Sequence, residues 1–299
     1  MGTPQRQTEQ RLHDATGIDA WDDQAVLAAL VAGQERAIAA VRTALPKIAE
    51  AAQVLAKRLS HGGRLIYAGA GTSIRIAVQD GSELPATFGM DDSKIVYLIA
   101  GGDRAIFETF ADAEDDTEAG KRDAAICDDK DTLIAVAASG TTPYTLAVAR
   151  TAKASGCFVI SVTNNPGSPL GAAGDIEIVL NSGPEVIAGS TRLGAGTAQK
   201  AALNLLSTLT HIRLGAVHDG MMVNVQSGNV KLKRRAREIV MRITGADEAR
   251  ATKALAAASG AVKPAILICA GAKDHAAAQQ ILAETNGNLR LALARLAGP

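Results

Sequence analysis

The sequence has few cysteines, few aromatic side chains and no excess of charge. Its 299 residues include three cysteines, Cys127, Cys157 and Cys269, whose spacing matches no metal motif. Scattered cysteines beside apolar neighbours are typical of buried, reduced thiols in a cytosolic protein. Aromatic residues make up 3% of the chain, and 31 Lys and Arg balance 31 Asp and Glu. This composition offers neither stacking platforms nor a basic surface, so it gives no support for nucleic-acid binding.

Targeting and membrane signals are equally scarce. The first ten residues, MGTPQRQTEQ, are polar and lack the apolar core of a signal peptide. Arg6 stands where a myristoylation motif needs Ser or Thr. No apolar run reaches the roughly 18 residues of a membrane span. We therefore expect a cytoplasmic protein without a membrane partner.

Short apolar runs alternate with helical stretches in the middle of the chain. This alternation predicts an α/β fold, a doubly wound and mainly parallel five-stranded sheet flanked by helices. In such sheets, ligands bind at the carboxyl ends of the strands. The predicted strands are Arg64–Ala68, Lys94–Ala100, Asp131–Ala138, Cys157–Thr163 and Ile176–Leu180.

Three regions are predicted along the chain. Residues 1–60 hold a polar, extended arm followed by a long helix from about Gln24, with a possible break at Pro46. Residues 61–243 form the sheet domain. Residues 244–299 are rich in alanine and form a small helical domain, with helix breaks near Gly260 and Gly287.

A glycine turn follows the first predicted strand. The sequence AGAGTS places Thr72 and Ser73 where a helix begins, and a helix N-terminus presents N–H groups to an anion. A dinucleotide fingerprint would need a third glycine, but Ile74 stands there, and a P-loop lysine is absent. A phosphate site and a simple tight turn both remain compatible with the pattern.

Other strand ends also carry polar residues. Ser139-Gly140-Thr141-Thr142-Pro143 is a second turn of glycine and hydroxyls, with Pro143 at a first helical position. The second strand is followed by a predicted helical segment rich in acid. Such a run is usually a solvated face, and at most one or two of its carboxylates need to point inward. Ser190 and Thr191 begin another predicted helix, either as its N-cap or as ligands.

Seven motifs in order resemble one known family. They are GAGTS, SELPATFG, AGG, AEDD, AASGTTPY, GPEVIAGSTR and GTAQK. The set resembles the N-acetylmuramic acid 6-phosphate etherases of the sugar isomerase (SIS) superfamily, from about Thr8 to the C-terminus. This superfamily implies a sheet in flavodoxin-like order and a homodimer with sites near the interface. The same branch includes the glucokinase regulatory protein, which binds sugar phosphates without catalysis.

The resemblance implies a lyase that needs no metal or cofactor. It cleaves the D-lactyl ether of N-acetylmuramic acid 6-phosphate and yields N-acetylglucosamine 6-phosphate and D-lactate. The functional glutamates of the family correspond to Glu83 in SELPATFG and Glu114 in AEDD. We assign Glu83 as proton donor to the departing lactate and Glu114 as the base at C2. The reverse assignment uses the same two groups.

The resemblance also implies a substrate-binding set. Arg192 is the cation expected to bind the lactyl carboxylate, because a planar guanidinium matches a carboxylate in two hydrogen bonds. The expected phosphate and sugar ligands are Thr72, Ser73, Ser139, Gly140, Thr141 and Thr142, and the residues expected to contact the substrate or close the site are Ser190, Thr191 and Arg192.

The chain departs from the family pattern at three single positions and in the acidic segment, which reads FADAEDD where EGAED is usual but keeps Glu114. Ile74 replaces a usual glycine, Thr141 an arginine and Gly194 a lysine, so two cationic positions are neutral. Two alternatives therefore stand beside the etherase. One is a related phosphosugar isomerase, which would also use a glutamate base, and the other is a non-catalytic sugar-phosphate regulator.

Overall fold

The computed structural model describes residues 6–110, 112–226 and 230–298. The chain divides into two compact units. The first comprises Met1–Gly81 and Ser93–Ser207, and the second comprises Ser82–Asp92 and Thr208–Pro299. The three regions inferred from the sequence, 1–60, 61–243 and 244–299, remain a prediction.

A parallel five-stranded sheet forms the centre of the first unit. Its strands lie in the order β2-β1-β3-β4-β5, which confirms the predicted doubly wound, flavodoxin-like order. Leu65 in β1 pairs with Ile95 on one side and with Thr132 on the other, and all four pairings are parallel. The strands are β1 (Leu65–Gly69), β2 (Ile95–Ile99), β3 (Thr132–Ala137), β4 (Phe158–Thr163) and β5 (Ile176–Val179).

The central strands are buried on both faces. Every residue of β1 and β3 is buried, because helices cover both sides of a doubly wound sheet. This double burial explains why these strands appear in the sequence as continuous apolar runs. The helices of this part of the chain are α2 (Gly71–Phe88), α3 (Thr117–Asp123), α4 (Pro143–Ala154), α5 (Pro169–Ala173) and α6 (Gly194–Arg213).

The long N-terminal helix, α1, spans Asp23–Ser60. The Asp22 side chain caps it by accepting a hydrogen bond from the Ala25 N–H at 3.0 Å. The possible break at Pro46 does not occur: the helix is continuous there, and Ala44 and Ile48 are buried on either side. By length and composition alone, α1 contains an 18-residue window that is apolar enough to cross a membrane, a test that core helices also pass. The expectation of no membrane partner therefore stays a prediction.

The residues before α1 differ from the extended arm that the sequence predicts. The described part forms three short 3-10 turns, Gln7–Glu9, His13–Ala15 and Ile18–Ala20. Thr8 is fully buried. Hydrogen bonds to distant loops fix this segment, and its local sequence carries no sign of them.

The second unit contains a two-stranded hairpin and a group of short helices. Strands β6 (Val217–His218) and β7 (Met221–Met222) pair antiparallel. The helices are interrupted near Gly260 and Gly287, as predicted. A further interruption around Gly271 was not predicted. The helices are α7 (Val230–Thr244), α8 (Glu248–Ala257), α9 (Val262–Cys269), α10 (His275–Glu284) and α11 (Leu289–Ala297).

Candidate active site

The glycine turn after β1 leads directly into a helix. Helix α2 begins at Gly71, two residues earlier than predicted, and continues through Pro85 to Phe88. Thr72 and Ser73 therefore lie in its first turn, where N–H groups lack intrahelical partners. Ile74 is completely buried and packs in the core, so the branched side chain at this position does not narrow the cavity.

The turn after β3 brings three more hydroxyl groups to the same edge of the sheet. The Ser139 Oγ accepts hydrogen bonds from the Thr141 N–H and from the Thr141 hydroxyl, both at 3.2 Å. Thr142 directly precedes Pro143, the first residue of α4, and its side chain makes no capping hydrogen bond. These hydroxyls and the start of α4 form a second group of hydrogen-bond donors.

Gly140 shapes this turn. It has a φ of +67°, in the left-handed region that favours glycine. A Cβ at this position would lie 2.3 Å from the Ser168 side chain. Gly140 is buried and does not line the cavity, so its contribution is the course of the backbone.

The two turns enclose a cavity of about 410 Å³ at the carboxyl ends of the strands. It is lined mainly by hydroxyl-bearing and small residues, together with one arginine and three carboxylates. The lining residues are Arg6, Glu9, Ala70, Gly71, Thr72, Ser73, Glu114, Asp115, Ala137, Ala138, Ser139, Thr141, Thr142, Pro143 and Thr191.

Glu114 reaches the cavity from the loop that follows β2. The acidic segment predicted as a helix instead forms two 3-10 turns, Asp103–Ile106 and Ala113–Asp115, before α3 begins at Thr117. Of its acidic residues, Glu114 and Asp115 line the cavity. The number of carboxylates that this segment places at the cavity stays within the expected limit of at most one or two.

Arg75 on α2 supports the chain that leads to Glu114. Its guanidinium donates to the carbonyl of Ala105 at 2.9 Å and to that of Glu108 at 3.0 Å. Arg75 is therefore occupied by backbone carbonyls. Its position on the helix after the glycine turn gave no indication of this contact.

Four predicted site residues do not line the cavity. Glu83 lies further along α2, and its side chain is exposed to solvent. Arg192 is also exposed, Ser190 is half-buried, and Gly140 is buried in its turn. The seven predicted residues that do line the cavity are Thr72, Ser73, Glu114, Ser139, Thr141, Thr142 and Thr191.

The start of α6 is capped by Glu185, not by Ser190 or Thr191 as the sequence suggested. Helix α6 begins only at Gly194. The buried Glu185 carboxylate accepts hydrogen bonds from the Gly194 N–H at 3.0 Å and from the Ala195 N–H at 2.8 Å. A carboxylate at this point also interacts favourably with the helix dipole.

The N-terminal segment contributes two side chains that the sequence did not reveal. Arg6 and Glu9 line the cavity. Hydrogen bonds from the Gln7 N–H to the Asn165 side chain, at 2.8 Å, and from the Gly189 N–H to the Thr8 carbonyl, at 3.0 Å, hold the segment in place. Asp115, beside Glu114, is the third charged lining residue that was not predicted.

A buried carboxylate fixes α2 within the first unit. Asp80 accepts hydrogen bonds from Tyr67 on β1, at 2.7 Å, and from Asn204 and Ser207 on α6, at 2.6 and 2.9 Å. Burial first of all, and then the neighbouring Asp80, raise the pKa of the Tyr67 hydroxyl well above its usual range. Tyr67 therefore remains a hydrogen-bond donor, and α2 is held against the sheet.

No metal site is evident among the described residues: in that part of the chain, no group of three or more His, Cys, Asp or Glu residues is arranged to hold an ion. The hydroxyls and helix starts around the cavity are instead donors suited to an oxyanion such as phosphate.

The sheet and its hydroxyl-lined edge define a SIS domain. The family model described as the glucokinase regulatory protein N-terminal SIS domain matches residues 47–153, and the SIS domain model matches residues 105–209. A solved phosphoheptose isomerase from Francisella tularensis aligns with a TM-score of 0.48 at 20% identity, covering 64% of this chain and 98% of that chain.

Relatives of similar length identify the family within the SIS superfamily to which the chain belongs. The N-acetylmuramic acid 6-phosphate etherase of Deinococcus radiodurans is 45% identical over 293 residues, which are 97% of this chain and 96% of the relative. The etherase of Aliivibrio fischeri strain MJ11 is 40% identical and covers 96% of both chains. The chain belongs to the N-acetylmuramic acid 6-phosphate etherase family.

Proposed function

We propose that the cavity binds N-acetylmuramic acid 6-phosphate and that Glu83 and Glu114 cleave its D-lactyl ether. As a member of the etherase family, the chain is a carbon–oxygen lyase. The products are N-acetylglucosamine 6-phosphate and D-lactate. The observation that carries the site assignment is the position of Glu114 in the same cavity as the hydroxyls of two strand-end turns.

The reaction requires one base and one acid. In the open-chain sugar the ether at C3 is β to the C1 aldehyde, so removal of the C2 proton allows lactate to leave. Water then adds to the unsaturated aldehyde. A carboxylate can serve as the base at C2, and a carboxylic acid can protonate the departing ether oxygen. We assign the base to Glu114 and the acid, which afterwards activates water, to Glu83.

The hydroxyl groups around the cavity are suited to the phosphate of the substrate. Ser73 lies in the first turn of α2, and Thr142 directly precedes α4. Both helix starts add N–H donors and a positive dipole end to the neutral hydroxyls. We propose Thr72, Ser73, Ser139, Thr141 and Thr142 as phosphate and sugar ligands, with Thr191 at the cavity wall and Gly140, Ser190 and Arg192 in supporting positions.

The proposal includes a cytoplasmic homodimer that takes part in the recycling of cell-wall amino sugars. On α1, Val31, Ile38 and Leu45 recur every seven residues and are 56%, 42% and 46% exposed, and Leu27 extends the row. A seven-residue spacing places side chains on one face of a helix. This exposed apolar stripe supports association with a second copy of the chain.

The direct test is D-lactate release from N-acetylmuramic acid 6-phosphate, measured with a coupled dehydrogenase. We expect release by the wild-type protein and its loss in Glu83→Gln and Glu114→Gln. Glu118→Gln is the matched control, because Glu118 lies in the same acidic segment but outside the cavity. A wild-type protein that binds the sugar phosphate without releasing D-lactate would instead be a regulator.

A second experiment asks whether the two carboxylates act across a dimer. Chains carrying Glu83→Gln and chains carrying Glu114→Gln are co-expressed with different tags, and the mixed dimer is purified. If each site takes one glutamate from each chain, half of the sites in that dimer are intact, and about a quarter of the sites are intact in a random mixture. An inactive mixed dimer would place both glutamates of a site on one chain.

A further inference from the structure

We propose that Arg6 is a substrate-binding residue that pairs with an anionic group of the sugar acid phosphate. This inference rests on the proposed function, because it concerns the same cavity. Arg6 lies in the segment before α1, far in sequence from the strand-end turns that form the rest of the wall.

The charge of the cavity is the first reason. Among the described residues that line it, Arg6 is the only cation, and it faces three carboxylates, Glu9, Glu114 and Asp115. The proposed substrate brings a phosphate and a carboxylate into this set. Like charges at close range disfavour binding, so the cavity needs a cation that touches the ligand.

The freedom of the Arg6 guanidinium is the second reason. Within the described part of the chain its side chain makes neither a hydrogen bond nor an ion pair, and it is exposed at the cavity. Its five N–H groups therefore remain available to an oxyanion, which a guanidinium binds through two parallel hydrogen bonds.

The anchoring of the segment is the third reason. The neighbouring residues Gln7 and Thr8 are fixed by Asn165, at the end of β4, and by Gly189. Thr8 is fully buried. Arg6 thus extends from a held backbone, and little order has to be imposed on that backbone when substrate binds.

Arg6 also fits the departures of this chain from the family pattern. Thr141 lines the cavity where the pattern has an arginine, and Arg192, expected to bind the lactyl carboxylate, does not line it. A guanidinium supplied by the N-terminal segment restores a positive charge from another part of the chain. Arg6 would then distinguish this chain from etherases that carry the arginine at position 141.

The test compares Arg6→Gln with Arg6→Lys and with Arg11→Gln. Arg11 is an exposed arginine of the same segment that does not line the cavity, so its substitution is a matched control. For Arg6→Gln we expect a roughly tenfold rise in KM with little change in kcat, as for the loss of a charge-assisted hydrogen bond made equally in ground and transition states. Arg6→Lys should recover part of this loss, and Arg11→Gln should match the wild type.

Inhibition by each of the two reaction products shows which anionic group Arg6 binds. Inhibition by N-acetylglucosamine 6-phosphate weakens in Arg6→Gln if the partner is the phosphate, and inhibition by D-lactate weakens if it is the carboxylate. Either result supports the proposal. Unchanged KM and unchanged inhibition by both products would overturn it, as would equal defects in Arg6→Gln and Arg11→Gln.

Calorimetric titration of N-acetylglucosamine 6-phosphate and of D-lactate separates this inference from the proposed function, since binding needs no turnover. A wild-type protein that releases no D-lactate contradicts the etherase assignment. In that case, weaker binding of one product to Arg6→Gln would still support the role of Arg6, and equal binding of both would overturn it.

Discussion

The buried lysine Lys263 is expected to make the second unit more stable as the pH rises. The lysine, on α9, is 8% exposed, and its ammonium donates a 2.7 Å hydrogen bond to the Gly287 carbonyl just beyond α10. It forms no ion pair with a carboxylate in the described part of the chain. Burial lowers the pKa of this ammonium from its usual 10.5 to about 8.

The size and sign of the effect follow from this difference in pKa. At about 1.36 kcal/mol per pKa unit, the folded state disfavours the charged ammonium by about 3 kcal/mol. Between pH 8 and 10.5 the unfolded chain holds this proton more tightly than the folded chain does, so the contribution of Lys263 to stability rises with pH. Below pH 8 both states are protonated and the cost is constant.

The test compares Lys263→Met with the wild type by urea unfolding, followed by circular dichroism from pH 7 to pH 10.5. The variant lacks the hydrogen bond to Gly287, and it also lacks the ammonium group that titrates in the wild type. We expect the unfolding free energy of the wild type to rise relative to the variant by about 3 kcal/mol over this range. Lys253→Met, at an exposed position on α8, should run parallel to the wild type. If the curve of Lys263→Met also ran parallel to that of the wild type, the buried ammonium would not be the source of the pH dependence.

Two further tests probe the first unit. The buried Asp131 carboxylate is bound by Arg64, with 2.5 Å between Oδ2 and Nη2. We expect Arg64→Met to lower the free energy of unfolding by about 3 kcal/mol in a denaturant titration, because it leaves a buried charge unpaired. The double variant Arg64→Met/Asp131→Asn should recover most of this loss. Burial acts to raise the pKa of Asp131, but hydrogen bonds from Arg64 and from backbone N–H groups outweigh it and lower that pKa, so this contribution is present above the unfolded pKa and is lost as the pH falls through the folded pKa. Glu185→Gln leaves one of the two N–H groups at the start of α6 without its carboxylate acceptor, and a loss of about 1 kcal/mol in thermal unfolding is expected; an unchanged midpoint would contradict the capping role.

The strands were predictable because double burial leaves a strong local signal. Each end of a predicted strand lies within one residue of the observed end. The observed strand order is the flavodoxin-like order that the family resemblance implied. The glycine and hydroxyl turns could be assigned to one site because the strand ends of a parallel sheet meet at one edge. Thr72, Ser73 and Ser139 could therefore be grouped from the sequence.

The remaining parts of the site depend on contacts between distant residues. The bond between Gln7 and Asn165 spans 158 positions, and nothing in the polar N-terminal segment predicts it, so Arg6 and Glu9 were missed. Helix α1 passes Pro46 without interruption because burial of the flanking residues outweighs local propensity. Likewise, the Glu185 cap lies nine residues before the helix that it stabilises.

The proposed reaction removes lactate by elimination and then adds water at C3 of the sugar. The most direct measurement is turnover of N-acetylmuramic acid 6-phosphate in ¹⁸O-labelled water, with both products analysed by mass spectrometry. Elimination followed by hydration places ¹⁸O at C3 of N-acetylglucosamine 6-phosphate and leaves D-lactate unlabelled. Label in D-lactate would show that water attacks the lactyl carbon, and it would contradict the roles assigned to Glu83 and Glu114.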